Sequence, residues 1–279
     1  MKKLLSLAFI LVLSIVLAAC GSGNESSGGG SKESETTKLV VGASNVPHAE
    51  ILEEAQPLLK EKGIELEIKP FQDYILPNKA LDEKELDANY FQHIPYLEAQ
   101  MKEHGYKFAN AGGIHIEPIG IYSKKYKKLE DLPKGATIIM SSSVADHGRA
   151  LSMLEAKGVI TLKEGIDKTT ATTKDIVKNE KGLKFKTDIE ASLLPQVYEN
   201  NEGDAVLINS NYAIDAGLNP VKDSIAIEDS KSPYVNVIAV RAGDENKEAI
   251  KSLVEVLRSE KIQEFIKKEY KGAVLPVSE

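Results

Sequence analysis

Cysteine is almost missing from this chain: Cys20 is the only one among 279 residues. A disulfide framework is therefore excluded, and any folded part must be held by buried apolar surface and hydrogen bonds. Catalytic signatures are missing too. There is no Gly-x-x-x-x-Gly-Lys phosphate loop, so the chain does not hydrolyse nucleotide by itself, and no Gly-x-Ser-x-Gly elbow to present a nucleophilic serine. Ser143, Asp146 and His147 are close in sequence, but proximity along the chain is not triad geometry. The five histidines, His48, His93, His104, His115 and His147, are scattered, with neither an HExxH pair nor a histidine-rich loop, so no metal site is expected. No internal repeat of fixed period is evident. Positive charge is in deficit: 35 Lys and Arg against 42 Asp and Glu give −7, and removing Lys2 and Lys3 with a cleaved leader leaves −9. So acidic a chain is a poor partner for nucleic acid or for an anionic membrane face.

What is present begins with a leader. Lys2 and Lys3 precede an apolar run from Leu4 to Ala19, broken only by Ser6 and Ser14, which has the charged and apolar regions of a secretory signal and is short for a transmembrane span. The run ends in Leu17-Ala18-Ala19-Cys20-Gly21, which resembles the bacterial lipobox, where cleavage leaves a lipidated cysteine as the first residue. Two or more acyl chains hold a protein durably at a bilayer, and one does so only marginally. Residues 22–37, SGNESSGGGSKESETT, carry no apolar periodicity and read as a tether. The expected segments are thus a signal peptide over 1–19 and a lipid-anchored tether over 20–37.

Beyond Lys38 the pattern is α/β. Lys38 to Ala43 reads as a buried strand, Ala49 to Leu59 as a helix stopped by Gly63, and Ile64 to Ile68 as an alternating second strand, which together make a βαβ unit. Pro57 inside that helix predicts a kink or two shorter helices. The stretch from Asp87 to Tyr96, DANYFQHIPY, alternates up to Phe91, and Pro95 then suits the first turn of a helix closed by Gly105. Phe91, Gln92 and His93 therefore fall near the carboxyl end of a strand, where open α/β sheets bind small ligands. The competing reading is that Phe91 and Tyr96 are core aromatics and His93 a hydrogen-bonded structural histidine.

A second α/β pattern starts at Thr137, with strands expected at Thr137 to Met140, Lys184 to Ile189, Ala205 to Ile208, Ser224 to Ile227 and Val235 to Arg241. Amphipathic helices close the chain between Glu248 and Tyr270. A pocket needs a charged group to orient its ligand and apolar walls to bury the rest. Arg149 is the best carboxylate clamp available, because a guanidinium can bind both oxygens. Asn209 and Asn236, each beside a strong strand, can accept from an amine and donate to a carboxylate. Surface arginines and turn asparagines are also common for structural reasons.

With these residues in view, the chain resembles the methionine-binding lipoproteins of bacterial ABC importers, the MetQ and NlpA family. The likeness rests on PHAEIL at Pro47 to Leu52, DANYFQHIPYL at Asp87 to Leu97, HIEPIGIYSKKY at His115 to Tyr126, GRAL at Gly148 to Leu151, INSNYA at Ile208 to Ala213, SPYVNVIAVR at Ser232 to Arg241 and KGAVLPV at Lys271 to Val277. The resemblance implies that Tyr74, Phe91, His93 and Tyr96 enclose a thioether, that Arg149 holds a carboxylate, and that Asn209 and Asn236 bind the polar ends of an amino acid, with Asn211 a weaker candidate. It departs from the common family pattern at Ser141 to His147, which reads SSSVADH where many members read close to NDPTNG. The implied fold is a two-lobed, hinged α/β substrate-binding protein of the type II periplasmic kind, with lobe 1 over 38–122 and 233–279 and lobe 2 over 123–232. The implied function is non-enzymatic: a lipid-anchored extracytoplasmic receptor, expected to be a monomer without cofactor, which delivers L-methionine to an ABC permease and its ATPase. The alternatives are a receptor for D-methionine, the sulfoxide or a methionine dipeptide, and a secreted hydrolase on the same lobes.

Overall fold

The computed structural model describes residues 36–230 and 232–277. The leader, Cys20 and the tether up to residue 35 lie outside them. Strand β1 (Thr37–Ser44) starts one residue inside the segment assigned to the tether. It leads to helix α1 (Glu50–Glu61), which buries Ile51, Leu52, Ala55 and Leu59 on one face. Pro57 does not split this helix, which is one continuous element ending at Gly63, where a φ of +75° takes the chain out of the helical region. Strand β2 (Ile64–Phe71), helix α2 (Leu76–Asp82) and strand β3 (Ala88–His93) follow. All of β3 is buried, and helix α3 (Ile94–His104) starts directly from it with Pro95 in its first turn and Gly105 as a left-handed cap. Strands β4 (Phe108–Ile116) and β5 (Gly120–Tyr122) come next.

The middle of the chain contains β6 (Thr137–Ser141), helix α4 (Val144–Ala156), a ribbon of β7 (Thr161–Leu162) and β8 (Ile176–Lys178), then β9 (Lys184–Ile189), α5 (Leu194–Glu199) and β10 (Ala205–Ile208). Short helices α6 (Ser210–Asp215) and α7 (Pro220–Asp223) lead to β11 (Ala226–Ile227). Strand β12 (Val235–Arg241), amphipathic helices α8 (Glu248–Leu257) and α9 (Glu260–Tyr270), and β13 (Leu275–Pro276) complete the chain.

These strands form two sheets. The first has the order β13-β4-β12-β3-β1-β2 and the second β11-β5-β10-β6-β9. Each has its own apolar core: Val41, Ile51, Leu59, Tyr90, Ile238, Leu253 and Ile266 around the first, and Ile119, Ile138, Met140, Leu151, Leu154 and Leu207 around the second. Burying each such side chain contributes roughly 1.5–3 kcal/mol, which is what holds two lobes together without disulfides.

The sheet membership of β5 corrects one boundary. Gly120 to Tyr122, placed in lobe 1 by the sequence, pairs with β10 and β11 in the second sheet, so the first crossing falls at Glu117-Pro118-Ile119. The second crossing runs from Glu228 to Tyr234, after which β12 inserts between β4 and β3 of the first sheet. The two crossings are bonded to each other: the Glu228 amide donates to the Ile119 carbonyl at 3.0 Å, and the Ile119 amide to Glu228 Oε2 at 3.3 Å.

Candidate ligand-binding site

Strands β3, β4, β6 and β10 all end at the inner edges of the two sheets, and β12 begins there, because it runs antiparallel to β3 and β4. Register then decides which side chains meet: Asn236 on β12 stands opposite His93 on one side and His115 on the other. The cavity at this edge, counted together with the space it opens to solvent, leaves about 380 Å³ free of atoms. Tyr74, Phe91, His93, Tyr96, Arg149, Asn209 and Asn236 all line it. The wall is completed by Gln92, Glu117, Asp146, Ser210 and Asn211, of which Gln92 and Asn211 carry an expectation of binding from the sequence.

One end is aromatic. Phe91 and Tyr96 pack with Ala145 and Tyr74, their ring centroids 6.1 Å apart in an edge-to-face arrangement. His93 caps α3, its Nδ1 accepting from the Tyr96 amide at 3.1 Å, so its other nitrogen faces the second lobe. Tyr74 also crosses between lobes, its hydroxyl donating to Asn211 Oδ1 at 2.6 Å.

The other end is charged. Arg149 lies inside α4, and Gly148 before it permits the contact that fixes this helix: a Cβ there would come within 2.4 Å of the Thr169 carbonyl oxygen. Arg149 reaches both crossings. Its Nη2 donates to the Glu117 carbonyl at 2.6 Å, its Nε and Nη2 donate to Glu228 Oε2 at 2.9 and 2.5 Å, and its guanidinium lies 4.7 Å from the centre of the Tyr234 ring. Burial works against its charge, yet Glu228 more than compensates, so its pKa is raised. Nη1 makes no hydrogen bond to a described residue.

Asp146, like Glu117 and Ser210, lines the cavity without a binding role read from the sequence. It is 2 % exposed, accepts from Ser141 Oγ at 2.6 Å and from Asn209 Nδ2 at 3.2 Å, and lies 3.8 Å from His93 Nε2. Burial alone would raise its pKa, but His93, the Ser141 hydroxyl and the Arg149 charge reverse the direction and keep it ionised. Burial lowers the pKa of His93 despite that carboxylate, and its Nε2 remains the hydrogen-bonding face turned to Asp146. The three residues considered as a triad are arranged otherwise: His147 Nε2 donates to the Ser141 carbonyl at 2.7 Å, and Asp146 takes Ser141, not Ser143.

Two histidines scattered in sequence converge behind the cavity. His48, His115 and Glu117 are all buried and bring their donor atoms within 4.8 Å of one another, a set whose chemistry would suit a divalent metal. His115 Nε2 is hydrogen-bonded to Glu117 Oε1 at 2.7 Å, and His48 Nε2 lies 3.2 Å from the same oxygen. Burial lowers the pKa of His48 to about 4 and of His115 to about 3, and burial raises that of Glu117.

A cavity at the facing edges of two α/β sheets, with the chain crossing between them twice, defines a two-lobed substrate-binding protein. This chain belongs to the NlpA lipoprotein family, whose model matches residues 39–278. It is 57 % identical over 281 residues to the methionine-binding lipoprotein MetQ of Bacillus subtilis (strain 168), covering 100 % of both chains. It is 36 % identical to the D-methionine-binding lipoprotein MetQ of Escherichia coli (strain K12), covering 95 % of this chain and 94 % of the relative. Among solved structures, a nutrient-binding protein from Burkholderia cenocepacia bound to methionine aligns with a TM-score of 0.80 at 44 % identity, covering 85 % of this chain and 99 % of that one.

Proposed function

We propose that the protein is an extracytoplasmic, lipid-anchored receptor that binds L-methionine and delivers it to an ABC permease with its ATPase. The observation that carries the reading is the polarity of one cavity: aromatic rings at one end, and at the other an ionised carboxylate, an arginine and two asparagines with opposite faces free. Asn209 gives its amide hydrogens to Asp146, so its Oδ1, buried and without a partner, is an acceptor for an ammonium group that Asp146 would balance in charge. Asn236 Nδ2 makes no hydrogen bond to a described residue, so it is a donor for a carboxylate that Arg149 Nη1 can also reach. Tyr74, Phe91 and Tyr96 are left for the thioether, with a sulfur–aromatic contact worth about 0.3–1.5 kcal/mol. The family is one of substrate-binding lipoproteins and not of enzymes; a relative of known structure from Coxiella burnetii is described as an ABC transporter periplasmic substrate-binding protein, at 38 % identity. The names of relatives such as the E. coli protein favour D-methionine as a second ligand. Mass spectrometry of the ligand that survives purification decides between these: methionine is expected, chiral analysis gives the hand, and a retained sugar or peptide would refute the reading.

The aromatic wall is testable by truncation. Phe91→Ala should weaken methionine by at most about 3 kcal/mol while changing glycine binding little, because only the longer ligand reaches the ring. Equal losses for both ligands in a calorimetric titration would make Phe91 a support of the fold alone.

Among the described residues no helix is long and apolar enough to cross a membrane. Membrane attachment on this reading depends on Cys20, directly after Leu-Ala-Ala. Cys20→Ala is expected to abolish lipidation and release the protein, or leave its signal uncleaved, with ligand affinity unchanged. Fractionation of a mature-length variant with membranes would rule out the anchor.

A further inference from the structure

Asn236 faces the cavity, but its orientation is fixed from behind. His48, which does not line the cavity and is 1 % exposed, places Nε2 3.1 Å from Asn236 Oδ1 and 3.2 Å from Glu117 Oε1. Both neighbours are acceptors, so Nε2 must be the protonated nitrogen; Nδ1, the acceptor face, has no hydrogen-bond partner. Glu117 is held as an acceptor by the Asn211 backbone amide and by His115, whose Nδ1 in turn is engaged by the Tyr90 hydroxyl. An asparagine amide has two faces of nearly equal shape and opposite hydrogen-bonding sense. With Oδ1 occupied by His48, only the donor face is turned to the cavity.

We propose that His48 is a positioning residue: by donating to Asn236 Oδ1 it locks the amide with Nδ2 toward the ligand, and so makes this end of the site select a carboxylate over a carboxamide. The inference rests on the amino-acid reading above and adds to it the source of the selectivity. A carboxylate offers acceptors only and matches Nδ2; a carboxamide also presents an NH2, which needs an acceptor that the locked asparagine withholds. Removing the His48 donor frees the amide to turn over and present Oδ1.

The test compares L-methionine with L-methioninamide by calorimetry, on full-length protein stripped of ligand. Wild type should prefer methionine. In His48→Leu, methionine should weaken about 10-fold while methioninamide changes less than 2-fold, which narrows the ratio; His48→Gln, whose side-chain amide can replace the Nε2 donor, should restore it. Equal weakening of both ligands in His48→Leu, or an unchanged ratio, would overturn the proposal. Should His48→Leu fail to fold, Asn236→Asp serves: it offers only acceptors, and the proposal requires the preference to invert toward methioninamide. One equivalent of zinc in the purified wild type by elemental mass spectrometry would also overturn it, because a metal on Nε2 would displace the proton. Failure of wild type to bind methionine at all would strike the amino-acid reading instead.

Discussion

Arg149→Ala is expected to lose ligand affinity by about 2–5 kcal/mol, the usual cost of removing one partner of a buried charge pair. Stability should fall as well, by about 3–5 kcal/mol, because the mutation strips a charge from Glu228, whose side chain is 11 % exposed, and a donor from the Glu117 carbonyl. These two losses have one origin. Arg149 on the second lobe grips both crossings, so it holds the connection between the sheets in place while offering Nη1 to the cavity. Arg149→Lys should recover little of either, since an ammonium cannot make the forked contact with Glu228 and the stacked contact with Tyr234 together. Urea unfolding of the ligand-free variant and calorimetry with methionine measure the two effects separately. Near-native values in both would remove Arg149 from the site and from the hinge.

The second large effect is acid lability. His48 and His115 are buried and neutral, with pKa values lowered to about 4 and about 3 from 6.5 in the unfolded chain. Between those limits the unfolded state binds more protons than the folded one, so stability rises with pH across this window and falls as pH drops through it. At about 1.4 kcal/mol per pH unit per histidine, the losses reach at most about 3.5 kcal/mol for His48 by pH 4 and about 5 kcal/mol for His115 by pH 3. Glu117 acts in the opposite sense: its pKa is raised by burial, so it favours the folded state at low pH and offsets part of the loss. The other neighbours of the pair, Tyr90 and Asn236, do not titrate in this range. The protein should therefore lose stability steadily from pH 6.5 to 4, and His115→Asn should flatten the profile. A stability curve level down to pH 4 in the wild type would show that the buried imidazoles are not neutral.

The stretch around β3 was legible because its signals are local. Alternation up to Phe91, Pro95 in the first helical turn and Gly105 at its end determine strand, turn and helix within twenty residues, and they put His93 and Tyr96 on the cavity wall. The crossing at Glu117 was less legible. FANAGGIHIEPIGIY reads as one extended run with a crossing only near Gly120, although the alternation of Ile114 and Ile116 shifts phase before Ile119 and Ile121, with Pro118 between them, where the sheet changes. Asp146 and Glu117 were not legible as binding residues. Each is one of 42 acidic residues, and what distinguishes them is burial beside partners distant in sequence, such as Asn209, 63 positions from Asp146. The pairing of Arg149 with Glu228, 79 positions away, depends likewise on the second sheet and both crossings being assembled. Sequence spacing placed Phe91, Gln92 and His93 at a strand end and side-chain chemistry singled out Arg149, Asn209 and Asn236, whereas Tyr74 entered only through the family resemblance and the partners of Arg149 and Asp146 emerge from the assembled sheets.

A calorimetric titration of refolded, ligand-free protein with L-methionine and with L-leucine, side by side, distinguishes a thioether slot from a general apolar pocket. Tight 1:1 binding of methionine is expected, with much weaker binding of leucine, whose branched side chain has no sulfur to place against Tyr74, Phe91 and Tyr96. Leucine binding as tightly as methionine, or no heat from either, would contradict the methionine assignment.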